Sequence, residues 1–181
     1  MIENLKNVKK KFDNGENIIE YLKKINTNQK IDNIVLISYD LQAGSYIKKA
    51  EKNPDYEEER AITYAKIIND LGNFHSIMEV GIGEATTFAS LIPKIKNKNI
   101  ISFGFDISYS RIQYAMQYLK RKKIENTILF TGNLFNCPIQ SDSIDIVYSN
   151  HSLEPNGGKE REILIELFRV TRKYLVLLEP I

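Results

Sequence analysis

The apolar positions of this chain keep a helical period through its amino-terminal part and then change to alternating strand-like and helix-like runs. Leu5, Val8, Phe12, Ile18, Ile19, Leu22 and Ile25 recur at helical spacing, interrupted at Asp13-Asn14-Gly15, which predicts two short helices between Asn4 and Ile25. The stretch Ile31 to Tyr46 has two readings. Ile34-Val35-Leu36-Ile37 fits a strand, while Ile31, Ile34, Ile37 and Leu41 mark a helical face, and helix is preferred. Pro54 breaks the chain. Tyr56 to Leu71 then reads as a helix with Ala61, Tyr64, Ile67, Ile68 and Leu71 inward and Gly72 as its stop.

Beyond Gly72 the strand candidates are Ser76–Val80, Ile100–Phe105, Thr127–Thr131, Ile144–Ser149 and Tyr174–Leu178. Helices are expected over Ala85–Ile92, Ser110–Lys122 and Gly158–Thr171, the last amphipathic through Ile163, Leu164, Leu167 and Phe168. Strands alternating with helices are the mark of βαβ units. The expected fold is therefore α/β: a Rossmann-like, doubly wound, mostly parallel sheet with helices on both faces and an amino-terminal helical extension. Residues 1–72 form that extension, packed on a core of residues 73–181 as one compact domain.

At 181 residues the chain can bury one sizeable core without help from disulfides or metal. Its 25 basic and 23 acidic residues leave a formal charge of +2, too even to draw in nucleic acid at long range. Cys137 is the sole cysteine, so no internal disulfide can form, no paired Cys/His metal framework exists, and a reducing interior is expected. Met1 to Phe12 lacks a signal-peptide core, and no run approaches the roughly 20 apolar residues that cross a bilayer, so the expectation is a cytoplasmic protein away from membranes. The basic clusters Lys9-Lys10-Lys11 and Lys120-Arg121-Lys122-Lys123 read as solvated surface, the second closing a helix whose dipole it complements.

Ligand chemistry concentrates at Ile77-Met78-Glu79-Val80-Gly81-Ile82-Gly83-Glu84-Ala85-Thr86-Thr87, a buried strand running into a glycine turn and a helix. Phe103-Gly104-Phe105-Asp106-Ile107-Ser108 follows as a second strand ending in a carboxylate. Open α/β sheets bind ligands beyond the carboxyl ends of their strands, and an acid at the tip of the second strand can hold ribose hydroxyls, so a nucleoside-containing cofactor is expected. A dinucleotide turn reads G-x-G-x-x-G, and here Thr86 stands in the third place. Glu79 and Glu84 would also repel a pyrophosphate, whereas they suit a ligand that carries a sulfonium and an ammonium. Each has a plainer role available: Glu84 as a helix-start acid and Glu79 as a bond to neighbouring backbone amides.

Four motifs in order then resemble the class I S-adenosylmethionine-dependent methyltransferases, in particular the quinone-biosynthesis group. Glu79-Val80-Gly81-Ile82-Gly83-Glu84-Ala85 resembles the first motif, E/D-x-G-x-G-x-G, with Ala85 in the last glycine's place. Asp106 matches the ribose-binding acid, and Gly132-Asn133-Leu134 resembles the G-D-A segment near the adenine, with Asn for Asp. Ser141 to Glu154 is similar to the fourth-strand signature F-D-x-V-x-S-x-H-x-L-E-H. The resemblance runs from about Phe74 to Pro180. It implies S-adenosylmethionine as cofactor, held by Glu79, Gly81, Gly83, Asp106, Ile107, Asn133, Leu134 and Asn150. It also implies an amino-terminal helical lid whose Tyr39 or Tyr46 meets the methionine end.

Methyl transfer from a sulfonium needs chiefly a held acceptor and excluded water. For a hydroxyl acceptor His151 is the candidate base, with loop shaping as its alternative role; no Asn-Pro-Pro-Tyr tetrad follows the fourth strand, so a small-molecule acceptor at oxygen or carbon is expected rather than nitrogen. Glu154, His75 and Cys137 read as a turn anchor, a boundary residue and an ordinary small side chain. The family's sheet has seven strands, and this chain stops on the fifth, at Lys173 to Ile181, so a fragment or completion by association through the exposed edge is expected. Two rival readings remain: an NAD(P)-binding oxidoreductase, and a non-catalytic partner subunit that binds S-adenosylmethionine.

Overall fold

The computed structural model describes residues 5–25, 28 and 30–179; Pro180 and Ile181, at the end of the apolar carboxyl-terminal stretch, lie outside the described residues. Five helices come first: α1 (Leu5–Asp13), α2 (Ile18–Ile25), α3 (Ile31–Gln42), α4 (Ser45–Lys52) and α5 (Pro54–Asp70). The ambiguous stretch is helical, as preferred. Its first helix stops at Gln42, short of Tyr46, because Gly44 takes φ +88° and splits α3 from α4. A side chain there would be strained by the left-handed backbone and would also meet the Tyr114 ring at 2.9 Å. Pro54 occupies the first turn of α5, where its missing N–H costs nothing.

The remainder alternates: β1 (Ser76–Val80), α6 (Thr86–Leu91), β2 (Ile101–Asp106), α7 (Tyr109–Arg121), β3 (Thr127–Thr131), β4 (Ile144–Asn150), α8 (Glu160–Val170) and β5 (Thr171–Leu178), with short 3₁₀ turns at Ile92–Lys94 and Glu154–Asn156. All four pairings are parallel and the strand order is β3-β2-β1-β4-β5. Among the described residues this is a five-stranded Rossmann-like parallel sheet, fewer than the seven strands of the form the sequence resembles. The order reverses at β1, whose neighbours are β2 and β4, so the crevice of a doubly wound sheet opens beyond the carboxyl end of β1.

Strand periodicity distributes the core. Ile77, Ile146 and Tyr148 face one side and pack with Ala61, Ala65 and Ile68 of α5, Phe88 and Leu91 of α6, and Ile112 and Ala115 of α7. Met78, Val80 and Val147 face the other side, under Ile163, Leu167 and Val170 of α8. Burial on both faces explains why β1 and β4 read as near-continuous apolar runs. A third cluster joins Val8, Ile18, Leu22 and Ile34 across α1, α2 and α3.

Two expected inward residues point outward. Ile67 is 40% exposed and Phe168 63% exposed, while Ala65 and Val170 of the same helices are buried. Strict helical spacing put α5 and α8 slightly out of rotation, because each apolar stripe is wider than the contact it makes. The edge strand β5 leaves Tyr174 and Leu177 exposed.

One carboxylate ties helix α4, whose Ile47 packs in the core, to the turn after β1. Glu84 is buried and accepts the Gly44 amide at 3.0 Å and the Ile47 amide at 2.8 Å, so it caps the amino terminus of α4 and not that of α6. Truncation as Glu84→Ala is expected to cost about 2–3 kcal/mol in urea unfolding, since two charge-assisted bonds are lost and two buried amides are orphaned. Amide exchange at Gly44 and Ile47 should accelerate in step; unchanged protection at those two amides would rule this attachment out.

Candidate functional site

The site is built at the carboxyl ends of β1, β2, β3 and β4. After Val80 the chain turns through Gly81-Ile82-Gly83-Glu84-Ala85, and the Ile82 amide bonds the Phe105 carbonyl at 2.9 Å, continuing the β1–β2 pairing into the turn. Asp106 at the tip of β2 is buried and receives the Gly83 amide through Oδ2 and the Ser108 amide through Oδ1, both at 2.9 Å. A side chain at Gly83, where φ is +58°, would run into the Arg111 guanidinium at 2.2 Å. Ala85 holds φ +60° in the place where the family motif has its last glycine, a left-handed conformation that alanine adopts at a cost of about 1–2 kcal/mol.

Two cavities share this turn. The smaller, about 50 Å³, is lined by Val35, Phe105, Asp106, Ile107, Asn133 and Leu134 among others. The larger, about 600 Å³, takes in Tyr46, Tyr56, Arg60, Glu79, Asn150 and Glu154. Tyr39, Gly81 and His151 line both. The structure thus brings the residues singled out from the sequence to one crevice, with Gly83 behind Arg111 in its wall. His151 is exposed, with φ +53°, and its amide bonds the Leu178 carbonyl at 3.1 Å. His75 lies at the opposite strand ends, its amide on Asp145 Oδ2 at 2.7 Å. Glu154 opens the 3₁₀ turn after β4 and is exposed. Cys137 is buried under α8, and that burial, followed by the nearby Glu166 charge, pushes its thiol up to about 12.

Glu79 and Tyr148 are register partners on neighbouring parallel strands, so their side chains emerge on the same face, and the Tyr148 hydroxyl donates to Glu79 Oε2 at 2.7 Å. Burial raises the Glu79 carboxyl to about 8, against the lowering effects of the Tyr148 and Asn150 hydrogen bonds and the Arg60 charge. Arg60 reaches the site from α5. Its Nη2 donates to the Tyr64 hydroxyl at 3.3 Å and to Asn150 Oδ1. Its guanidinium also stands over the Tyr56 ring at 5.3 Å, and among the described residues it has no carboxylate ion pair.

The amino-terminal helices close the crevice from above. Asn133 Nδ2 donates to Asp32 Oδ2 at 3.2 Å while its Oδ1 accepts the Phe135 amide, and the Ser108 hydroxyl donates to Asp40. Tyr39 and Tyr46 flank the Arg111 guanidinium at 4.6 and 4.7 Å. Sequence reading missed Arg60, Tyr64, Arg111 and Tyr148. A helix interior gives no local sign that a side chain will point into a distant crevice, and only the strand register makes Tyr148 a neighbour of Glu79.

The raised Glu79 carboxyl fixes the sign of a pH effect. A group protonated more readily in the folded state contributes stability fully below its unfolded value near 4.5, and loses it as pH rises through about 8. Comparing the wild type with Glu79→Gln by urea unfolding, we expect the variant to gain roughly 3–4 kcal/mol on the wild type between pH 5 and pH 8. A constant difference between the two pH values would show that Glu79 ionises normally.

Comparison with known proteins agrees with this geometry. The family model described as "Methyltransferase domain" matches residues 77–174, more than half of the chain. Among solved structures, the chain is similar to a SAM-dependent methyltransferase from Aquifex aeolicus, with a TM-score of 0.58 and 18% identity, covering 73% of this chain and 70% of that one. It is also similar to a candidate S-adenosylmethionine-dependent methyltransferase from Methanococcus maripaludis, with a TM-score of 0.61 and 16% identity over 74% of this chain and 61% of that one. The [4+2]-cyclase SpnF is similar too, at a TM-score of 0.53 and 16% identity, over 63% of this chain and 43% of that one. The chain thus spans less than two thirds of the last two. At such identities the likeness carries the fold alone, and a cyclase among the similar structures shows that this fold hosts more than one reaction. No curated protein matches the chain. Among the described residues no helix is long and apolar enough to cross a membrane. On the family match, the chain belongs to the methyltransferase-domain family.

Proposed function

We propose that the crevice transfers a methyl group from S-adenosylmethionine to a small-molecule acceptor at oxygen or carbon. The observation that carries this reading is the run of complementary groups along one crevice. Apolar walls at Ile107 and Leu134 suit an adenine, Asp106 at the tip of β2 suits ribose hydroxyls, and the Glu79–Arg60 pair suits the zwitterionic end of an amino acid. In this reading Glu79 ionises against an ammonium while Arg60, free of carboxylate partners among the described residues, takes a carboxylate. Tyr39 and Tyr46 cover the middle.

The bound cofactor supplies an electrophilic methyl on a positively charged sulfur. The chain supplies position and shelter. A cavity of about 600 Å³ is within the range of small-ligand sites, and its aromatic wall of Tyr46 and Tyr56 suits an acceptor with an apolar body. His151, on the rim shared by both cavities, takes the proton of a hydroxyl acceptor. Tyr39 does not serve as base, because burial and then its neighbour Tyr46 hold its phenol above the ordinary value.

An oxidoreductase binding a nicotinamide dinucleotide is disfavoured by Thr86 in the third glycine's place and by Glu84, whose buried carboxylate lies where a pyrophosphate would approach. Titration followed by thermal unfolding separates the two readings. S-adenosylhomocysteine at roughly 100 times its Kd should raise Tm by about 5–10 °C and NADH should not. A shift with NADH and none with S-adenosylhomocysteine would reverse the assignment. In calorimetric titrations Asp106→Ala and Arg60→Met should each weaken S-adenosylhomocysteine about tenfold or more, the loss of one charge-assisted contact. Unchanged affinity in Arg60→Met would move the carboxylate site elsewhere.

A further inference from the structure

Asn133 stands where the resembled motif has an aspartate, and it lines the smaller cavity beside Leu134. Its neighbours fix which way the amide faces. Oδ1 accepts the Phe135 backbone amide at 2.9 Å, which calls for an oxygen, and Nδ2 donates to Asp32 Oδ2 at 3.2 Å, which calls for a nitrogen. With Oδ1 turned to the backbone and one Nδ2 hydrogen left over, the side chain offers a ligand a donor. A carboxylate arrives from the other side. Asp32 lies in the first turn of α3, and Val35 and Tyr39, three and seven positions further on, both line the smaller cavity, so the three share the helix face turned to the crevice. Among the described residues the Asp32 carboxylate accepts the Asn33 amide through Oδ1 at 3.0 Å and Asn133 through Oδ2, which leaves lone pairs open.

We propose that Asp32 and Asn133 read the base of the cofactor as a pair, the Asp32 carboxylate accepting from the 6-amino group of adenine while the Asn133 amide donates to the adjacent ring nitrogen. The inference rests on the reading of this crevice as the S-adenosylmethionine site. The two side chains set an acceptor beside a donor, 3.2 Å apart, and the edge of adenine sets a donor beside an acceptor. Hypoxanthine reverses both positions. Its carbonyl oxygen would face the carboxylate and its ring N–H would face the amide hydrogen, so two repulsive contacts replace two hydrogen bonds. Polar groups left unpaired in a closed site discriminate far more strongly than a change of contact area does. Asp32 is thereby a specificity-determining residue, and it lies outside the stretch 77–174 that the family model matches. Half of the base-reading pair is carried by the helices over the crevice.

S-adenosylhomocysteine and S-inosylhomocysteine provide the test, since they differ only at that edge of the base. Their Kd values are measured by calorimetry on the wild type, Asp32→Ala and Asp32→Asn. The wild type should favour the adenine compound about a hundredfold, the worth of two mismatched hydrogen bonds. Asp32→Ala should narrow this to about tenfold or less, because it weakens S-adenosylhomocysteine and relieves S-inosylhomocysteine of a repulsive contact. Asp32→Asn, whose amide can donate to the hypoxanthine carbonyl, should narrow it further, and Asn133→Leu, which removes the donor opposite the ring nitrogen, should narrow it too. A wild type without preference would overturn the pairing. So would Asp32 variants that keep the wild-type ratio by weakening both ligands equally, which is what a merely structural tie between α3 and the loop after β3 would give. If Asp32→Ala fails to fold, Asp32→Asn gives the ratio. If the wild type binds neither compound, the cofactor reading falls together with this inference. If it binds S-adenosylhomocysteine and only the ratios disagree, the cofactor reading stands alone.

Discussion

The two hydrogen bonds that Asp106 accepts from Gly83 and Ser108 are the constraint on which the site depends. They join the turn after β1 to the tip of β2, so the floor of the crevice is a single hydrogen-bonded unit. Parallel pairing of β1 with β2, continued by the bond from the Ile82 amide to the Phe105 carbonyl, brings the two tips level. A carboxylate is needed because it can accept from both amides and still face a ligand with its remaining lone pairs. A small residue is needed at position 83 because Arg111 packs against that backbone.

The carboxylates of the crevice are mostly engaged by backbone amides and a hydroxyl. Glu84 is committed to the amino terminus of α4, Asp106 to two amides, and Glu79 to Tyr148, where burial favours its neutral form. A simple acidic rim is therefore an incomplete picture. In the proposed reading a cationic ligand group ionises Glu79, against a desolvation cost that a neutral group would not offset. Selectivity by charge follows from burial as much as from residue type.

The helices over the crevice connect cover to chemistry. Asp32, Asp40, Tyr39 and Tyr46 come from α3 and α4, and their partners Asn133, Ser108 and Arg111 belong to loops and helices at the tips of β2 and β3. In the proposed methyl transfer, helices in this position would keep water from the reacting atoms.

The sequence alone determined the order of elements, the strand–helix alternation and the residues at strand tips. Period-two and period-3.6 patterns, glycine turns and a terminal carboxylate are local signals, and β1 and β3 begin and end where those patterns place them. Glu79, Asp106 and His151 were legible for the same reason, each at a strand end, whereas Asn133 was legible only through the resemblance of Gly132-Asn133-Leu134 to the family's motif. Tertiary structure alone decided what those residues touch. Tyr148 meets Glu79 only because β4 pairs beside β1 in that register, and Arg60 and Arg111 enter the crevice from the buried sides of α5 and α7. It also turned Glu84 from a helix-start acid into the cap of α4 and turned Ile67 and Phe168 outward. Contacts between elements far apart in the chain depend on register and helix rotation, and one-dimensional periodicity leaves both undetermined.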